Sequence, residues 1–190
     1  MARIVVVVGS VRNGRKGLFV AKWVAQALRN RGHSVTLTDP LEHEDLLVMR
    51  QMYKSQQSPS KAFSELRRVV KEADGYVAVT PEYNHSFSGA IKNALDVFLE
   101  EYFFKPFGIV TYSTGGFGGV RAGEHLRCVV AEMGASAIPS SLAVSRVQNV
   151  FSEDGTLIQE EYSERLETFL EEFEWYVDAL ATARKKGVPY

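Results

Sequence analysis

The chain has 190 residues, 45% of them hydrophobic, which is near the common size of one domain and enough to bury a core. Its 22 Lys plus Arg stand against 23 Asp plus Glu, a formal net charge of -1, so nothing in the overall balance points to duplex nucleic acid or an anionic membrane as a partner. Any anion has to be bound locally. No apolar run approaches the roughly 20 residues of a membrane span, and the N-terminal VVVV lacks the length and cleavage site of a signal peptide. The single cysteine, Cys128, lies in the apolar stretch LRCVVAEMG and is expected to be a buried, inert thiol in a reducing compartment. The expectation is a single domain over residues 1–190, soluble and cytoplasmic.

Residues 3–8 (RIVVVV) are continuously apolar and β-branched, the pattern of a strand buried on both faces. From residue 17 to 31 apolar side chains recur at helical spacing, and Gly32 follows as a stop. The unit repeats: strand 34–39, helix 61–73, strand 75–80 with Pro81 as its stop, helix 87–102, strand 106–113, helix 119–134 and strand 136–144. A long final helix over 160–183 carries Tyr162, Leu166, Phe169, Leu170, Phe173, Tyr176, Val177 and Leu180 on one stripe. Strands alternating with helices imply an α/β fold whose parallel sheet has helices on both faces. Residues 40–60 are too long and too apolar for an ordinary connection, which suggests a lid or a subunit contact. Residues 145–159 can form a small hairpin around Asp154-Gly155.

Ligands of such sheets bind beyond the carboxyl ends of the strands, which fixes the loops that matter. The first, GSVRNGRKG (9–17), combines glycines, a hydroxyl and basic side chains just before a helix, a setting for a phosphate. It is not a Walker A loop, because Arg15 and Lys16 stand where lysine and a metal-binding hydroxyl are needed. Nor is it a dinucleotide fingerprint, because Val11 replaces the second glycine. A monophosphate is preferred. The second loop, PEYNHSFSG (81–89), offers Tyr83 and Asn84 to a flat heteroaromatic ring, with Ser86 or Ser88 to cap the next helix. Glu82 reads as a partner for an arginine or a helix-proximal carboxylate more readily than as an acid–base group, and His85 as a surface or structural residue more readily than as a catalytic one. The third, YSTGGFGGVR (112–121), is bare backbone that can lie against a planar ligand.

In this order, G-S-x-R, P-E-Y-N-x-S-x-x-G-x-x-K-N-A-x-D and G-G-x-R-A loop elements resemble the NADPH-dependent FMN reductase family, flavodoxin-like proteins that include quinone, azo and chromate reductases. The resemblance covers residues 3 to about 144 and implies a three-layer sandwich with a five-stranded parallel sheet of order 2-1-3-4-5. It implies FMN, with NADPH or NADH as electron donor, and ping-pong hydride transfer through flavin N5 to a quinone, flavin, azo compound or metal oxyanion. Ser10, Arg12, Arg15 and Gly17 would form the phosphate loop. Pro81, Glu82, Tyr83 and Asn84 would run beside the ring and ribityl chain, with Ser113, Gly115, Gly116 and Gly119 on the other side. Backbone amides of residues 113–116 would donate to the N1/O2 edge. The flavin carries the chemistry, so neither a catalytic side chain nor a metal is demanded, and a homodimer or homotetramer is implied. The alternative is a non-enzymatic FMN protein, an electron carrier or redox-responsive binding partner; a non-flavin nucleotide-binding protein is a third reading.

Overall fold

A computed structural model describes residues 1–48 and 51–190. Five parallel strands, β1 (Arg3–Val8), β2 (Ser34–Thr38), β3 (Gly75–Tyr83), β5 (Pro106–Tyr112) and β6 (Ser136–Val144), lie in the order β2-β1-β3-β5-β6. That is the flavodoxin-like order anticipated above, with the reversal between β1 and β3. A sixth strand, β4 (Ser86–Phe87), is antiparallel to β3 and lies off this path.

The uninterrupted valine run of β1 is explained by its two faces. Ile4, Val6 and Val8 enter one core with α1 (Gly17–Asn30) and α6 (Glu161–Arg184), while Val5 and Val7 enter a second with α3 (Lys61–Glu72), α4 (Gly89–Asp96) and α5 (Val120–Glu132). Each fully buried valine contributes about 1.5–2 kcal/mol by removal from water. On α6 the stripe is buried at Tyr162, Leu166, Phe169, Leu170, Phe173 and Val177. Among the described residues no helix is long and apolar enough to cross a membrane.

Four expectations change. Pro81 does not stop β3: it pairs with Tyr112, and the strand runs on to Tyr83, where it turns back into β4. Proline lacks an N–H but its fixed φ suits a strand end, where one missing ladder bond is tolerated. The helix expected over 87–102 ends at Asp96, and a separate 3-10 turn covers Glu100–Tyr102. Residues 40–60 are tied to the second core at two points: α2 (Glu44–Leu47) buries Leu46, and Tyr53 packs on Phe63 and Phe98 while its N–H donates to the Val97 carbonyl (2.8 Å). Part of their apolarity is spent inside the chain, at Leu46 and Tyr53, while Leu41 and Val48 are exposed; Met49 lies outside the described residues. Cys128 is exposed, not buried, because it falls on the outer face of α5 while Leu126 and Val130 face inward. The hairpin at 145–159 forms, with Phe151 bridged to Leu157 and Gly155 at φ +88°.

Candidate functional site

The carboxyl ends of β1, β3 and β5 open onto a cleft of about 270 Å³ lined by the 10–16 loop, by Pro81, Glu82 and Tyr83, and by Tyr112, Ser113 and Thr114. Wider hollows elsewhere on the surface do not join these loops. The first loop leaves β1 at Gly9, whose N–H donates to the Val79 carbonyl (2.7 Å), and its carbonyl accepts from the Ser88 hydroxyl. Ser88 also caps α4 by accepting the Ile91 N–H (3.2 Å), so one side chain locks the first loop to the second.

At the other end of the loop α1 begins without any side-chain cap, and the N–H groups of Gly17 and Leu18 donate to no atom of the described residues. These donors, added to the helix dipole, follow directly on Lys16, which lines the cleft. Gly17 is needed there for close approach: a Cβ would fall 1.9 Å from the Tyr112 hydroxyl oxygen.

Arg15 also lines the cleft, but its guanidinium is already engaged within the chain. Its guanidinium is bidentate on Asp39, at the end of β2, with Nη1 to Oδ1 at 2.7 Å and Nη2 on Oδ2, and Nη1 also donates to the Ser10 carbonyl. Both side chains are almost buried, 11% and 6% exposed. The pair holds the loop against the sheet. Arg12 by contrast is exposed and lies flat on the Tyr83 ring, 3.9 Å from its centre. Ser10 is buried and shares a hydrogen bond with the Tyr83 hydroxyl (3.2 Å).

In the second loop, Asn84 and His85 have φ of +50° and +66°, the signature of a two-residue turn with both central residues left-handed. Asparagine tolerates that conformation well, and both side chains point to solvent, so Asn84 stands at the hairpin tip rather than on the cleft wall. Glu82 accepts the backbone N–H of Arg121 (3.1 Å) and pairs with its guanidinium (3.0 Å), which caps α5 and neutralises the carboxylate. The second half of the motif is structural too: Lys92 pairs with Asp96, and Asn93 donates to the Leu47 carbonyl (2.7 Å).

In the third loop Gly119 precedes α5 at φ +86°, a conformation glycine adopts freely, and is buried against Tyr112. Gly115 and Gly116 have neither a positive φ nor a close neighbour, since added Cβ atoms would meet nothing nearer than 3.8 and 4.0 Å. Nothing inside the chain explains their lack of a side chain. The Ser113 N–H is engaged by the Val144 carbonyl (3.2 Å), so it is not available as a donor; those of Thr114, Gly115 and Gly116 donate to no atom of the described residues. Tyr112, which the sequence presents only as a strand residue, lines the cleft together with Thr114. Val147 reaches the cleft from the segment after β6, a neighbourhood that sequence spacing does not reveal.

Comparison with known proteins bears on the family and the fold. The chain is 30% identical over 144 residues to an NADPH azoreductase of a Bacillus species, spanning 75% of this chain and 76% of that one. It is 30% identical over 185 residues to a 2-hydroxy-1,4-benzoquinone reductase of a Burkholderia species, spanning 92% and 96%. Among solved structures, FerB, a flavoenzyme NAD(P)H:(acceptor) oxidoreductase from Paracoccus denitrificans, superposes with a TM-score of 0.69 at 22% identity over 96% of this chain and 98% of that one. The model of the NADPH-dependent FMN reductase family matches residues 2–149, and the chain belongs to that family.

Proposed function

We propose that this protein is an NAD(P)H-dependent oxidoreductase that holds FMN in the cleft and reduces quinones, azo compounds, free flavin, metal oxyanions or similar electron-poor acceptors. The observation that carries the reading is the convergence on one cleft of three loops at adjacent strand ends: the 10–16 loop that leads into an uncapped helix, the Pro81–Tyr83 wall, and Tyr112–Thr114 leading into glycine backbone. The residues present suit the cofactor, because the free N–H groups of α1 await an anion and the missing side chains at 115 and 116 leave room for a flat ring.

In this reading Ser10, Arg12 and the N–H groups of Gly17 and Leu18 hold the phosphate, with Arg12 leaving the Tyr83 face to do so. Arg15 shapes the loop from below through Asp39. Pro81, Glu82 and Tyr83 flank the ring and ribityl chain through backbone and aromatic surface, while Asn84 makes the turn that presents them. The open N–H groups of residues 114–116 supply hydrogen bonds to the edge of the ring where negative charge accumulates on reduction. Glu82 is engaged by Arg121 and serves to hold the third loop beside the second. FMN supplies the hydride and electron transfer when bound, so the chain needs no acid–base residue of its own.

The exposed apolar side chains beside the cleft, Phe117 and Val120, support a contact between copies of the chain in a dimer or tetramer. A lone exposed thiol at Cys128 suits a reducing, cytoplasmic setting. The test is an anaerobic visible spectrum of the protein supplied with FMN, recorded before and after NADPH or NADH and then a quinone. Bleaching by a nicotinamide and recovery with the quinone is expected, with parallel initial-rate lines when both substrates are varied. A bound flavin that neither nucleotide bleaches would overturn the reductase reading.

A further inference from the structure

Tyr112 closes β5 with its ring 6% exposed, and its hydroxyl has no hydrogen-bond partner among the described residues. An unpaired buried hydroxyl is a standing penalty that phenylalanine, with the same ring, would avoid. Its position is specific. The backbone of Gly17 runs directly over the hydroxyl oxygen, and Gly17 is the first residue of α1, where the helix N–H groups are uncapped. The Ser10 hydroxyl is near enough to the phenol to favour its charged form slightly, but it makes its hydrogen bond to the Tyr83 hydroxyl (3.2 Å) and leaves the Tyr112 oxygen without a partner in hydrogen-bond geometry. Burial raises the pKa of the phenol, which favours its protonated, donating form.

We propose that Tyr112 is a phosphate-selecting residue of the cleft: its hydroxyl donates to an oxygen of a phosphate monoester seated on the first turn of α1. The cofactor site then distinguishes FMN from riboflavin. The neighbours able to turn toward an anion, Ser10 and Arg12, are attached to Tyr83 by one hydrogen bond and one cation–π contact, and drawing them off Tyr83 opens the way to the phenol. The inference rests on the cofactor reading above and assigns within it a residue whose aromatic character alone would mark it as core.

The experiment compares wild type with Tyr112→Phe, both stripped of flavin, titrated with FMN and with riboflavin by quenching of flavin fluorescence, alongside thermal melts of the stripped proteins. Loss of one hydrogen bond to a charged group is expected to raise the Kd for FMN roughly tenfold or more, to leave that for riboflavin unchanged, and not to lower the Tm of the stripped variant. An unchanged FMN affinity, or an equal loss for both flavins, would overturn the assignment. So would a fall of several degrees in the stripped variant's Tm, which would show that the hydroxyl already has a partner. If wild type binds neither flavin, the cofactor reading itself is wrong and this inference falls with it.

Discussion

The pairing of Arg15 with Asp39 separates two roles that the composition of the first loop allows for Arg15, phosphate ligand or structural brace. Removing one partner from a buried pair leaves the other charge uncompensated and costs about 3–5 kcal/mol. Here the exposures of 11% and 6% leave slight access to water, so Arg15→Met is expected at the lower end, about 3 kcal/mol. The loss should appear in flavin-free protein, because neither side chain depends on a ligand for its partner. With an m-value of roughly 2–3 kcal/mol/M, the urea midpoint falls by about 1 M. Asp39→Leu should cost a similar amount, and the double variant Arg15→Met with Asp39→Leu should recover at least half of the summed loss, because no charge is then stranded. Flavin-free stability of Arg15→Met indistinguishable from wild type, combined with a large loss of FMN affinity, would refute the brace and restore Arg15 to the phosphate.

Arg12→Ala is expected to weaken FMN retention much more than Arg121→Ala, since Arg12 has only the Tyr83 face to leave while Arg121 is committed to Glu82; equal flavin content in the two purified variants would sink that assignment. Gly17→Ala should destabilise flavin-free protein by about 2 kcal/mol or more through collision with Tyr112, whereas Gly115→Ala should leave its Tm unchanged and reduce flavin binding, as read by denaturation and fluorescence titration. Lys105 gives the chain a pH dependence remote from the cleft: buried with its ammonium on the Lys71 carbonyl (2.6 Å) and the Tyr76 hydroxyl (3.2 Å), it is pushed down to about 8 by burial. The folded protein therefore binds fewer protons than the unfolded chain above this value and below the ordinary lysine range. Stability should rise by about 2 kcal/mol between pH 7 and pH 9.5, and Lys105→Met should flatten that rise in urea titrations; a flat wild-type profile would count against the burial of the charge.

The alternation of apolar strands with amphipathic helices was legible in the chain because burial on two faces leaves an unbroken valine run in β1 and a single stripe on α6. The same pattern located the cleft, since in a parallel sheet the strand ends that follow such runs must share one edge. Ser10, Arg12, Pro81, Glu82, Tyr83 and Ser113 did converge there. What the pattern did not carry was the use of each side chain. Arg12 and Arg15 are three residues apart and chemically alike, yet only one has an aspartate brought beside it by β2. Asn84 stands in the most specific motif and makes a turn, and Cys128 sits in an apolar stretch but on the outer face of its helix. Tyr112 looked like core until Gly17 was seen against its hydroxyl. Periodicity records which face is buried, a property summed over many residues, and so the chain by itself determined the fold and the edge where the site lies. Pairing and orphaning depend on single atoms from distant segments within about 3 Å of one another, and only the tertiary structure decided those.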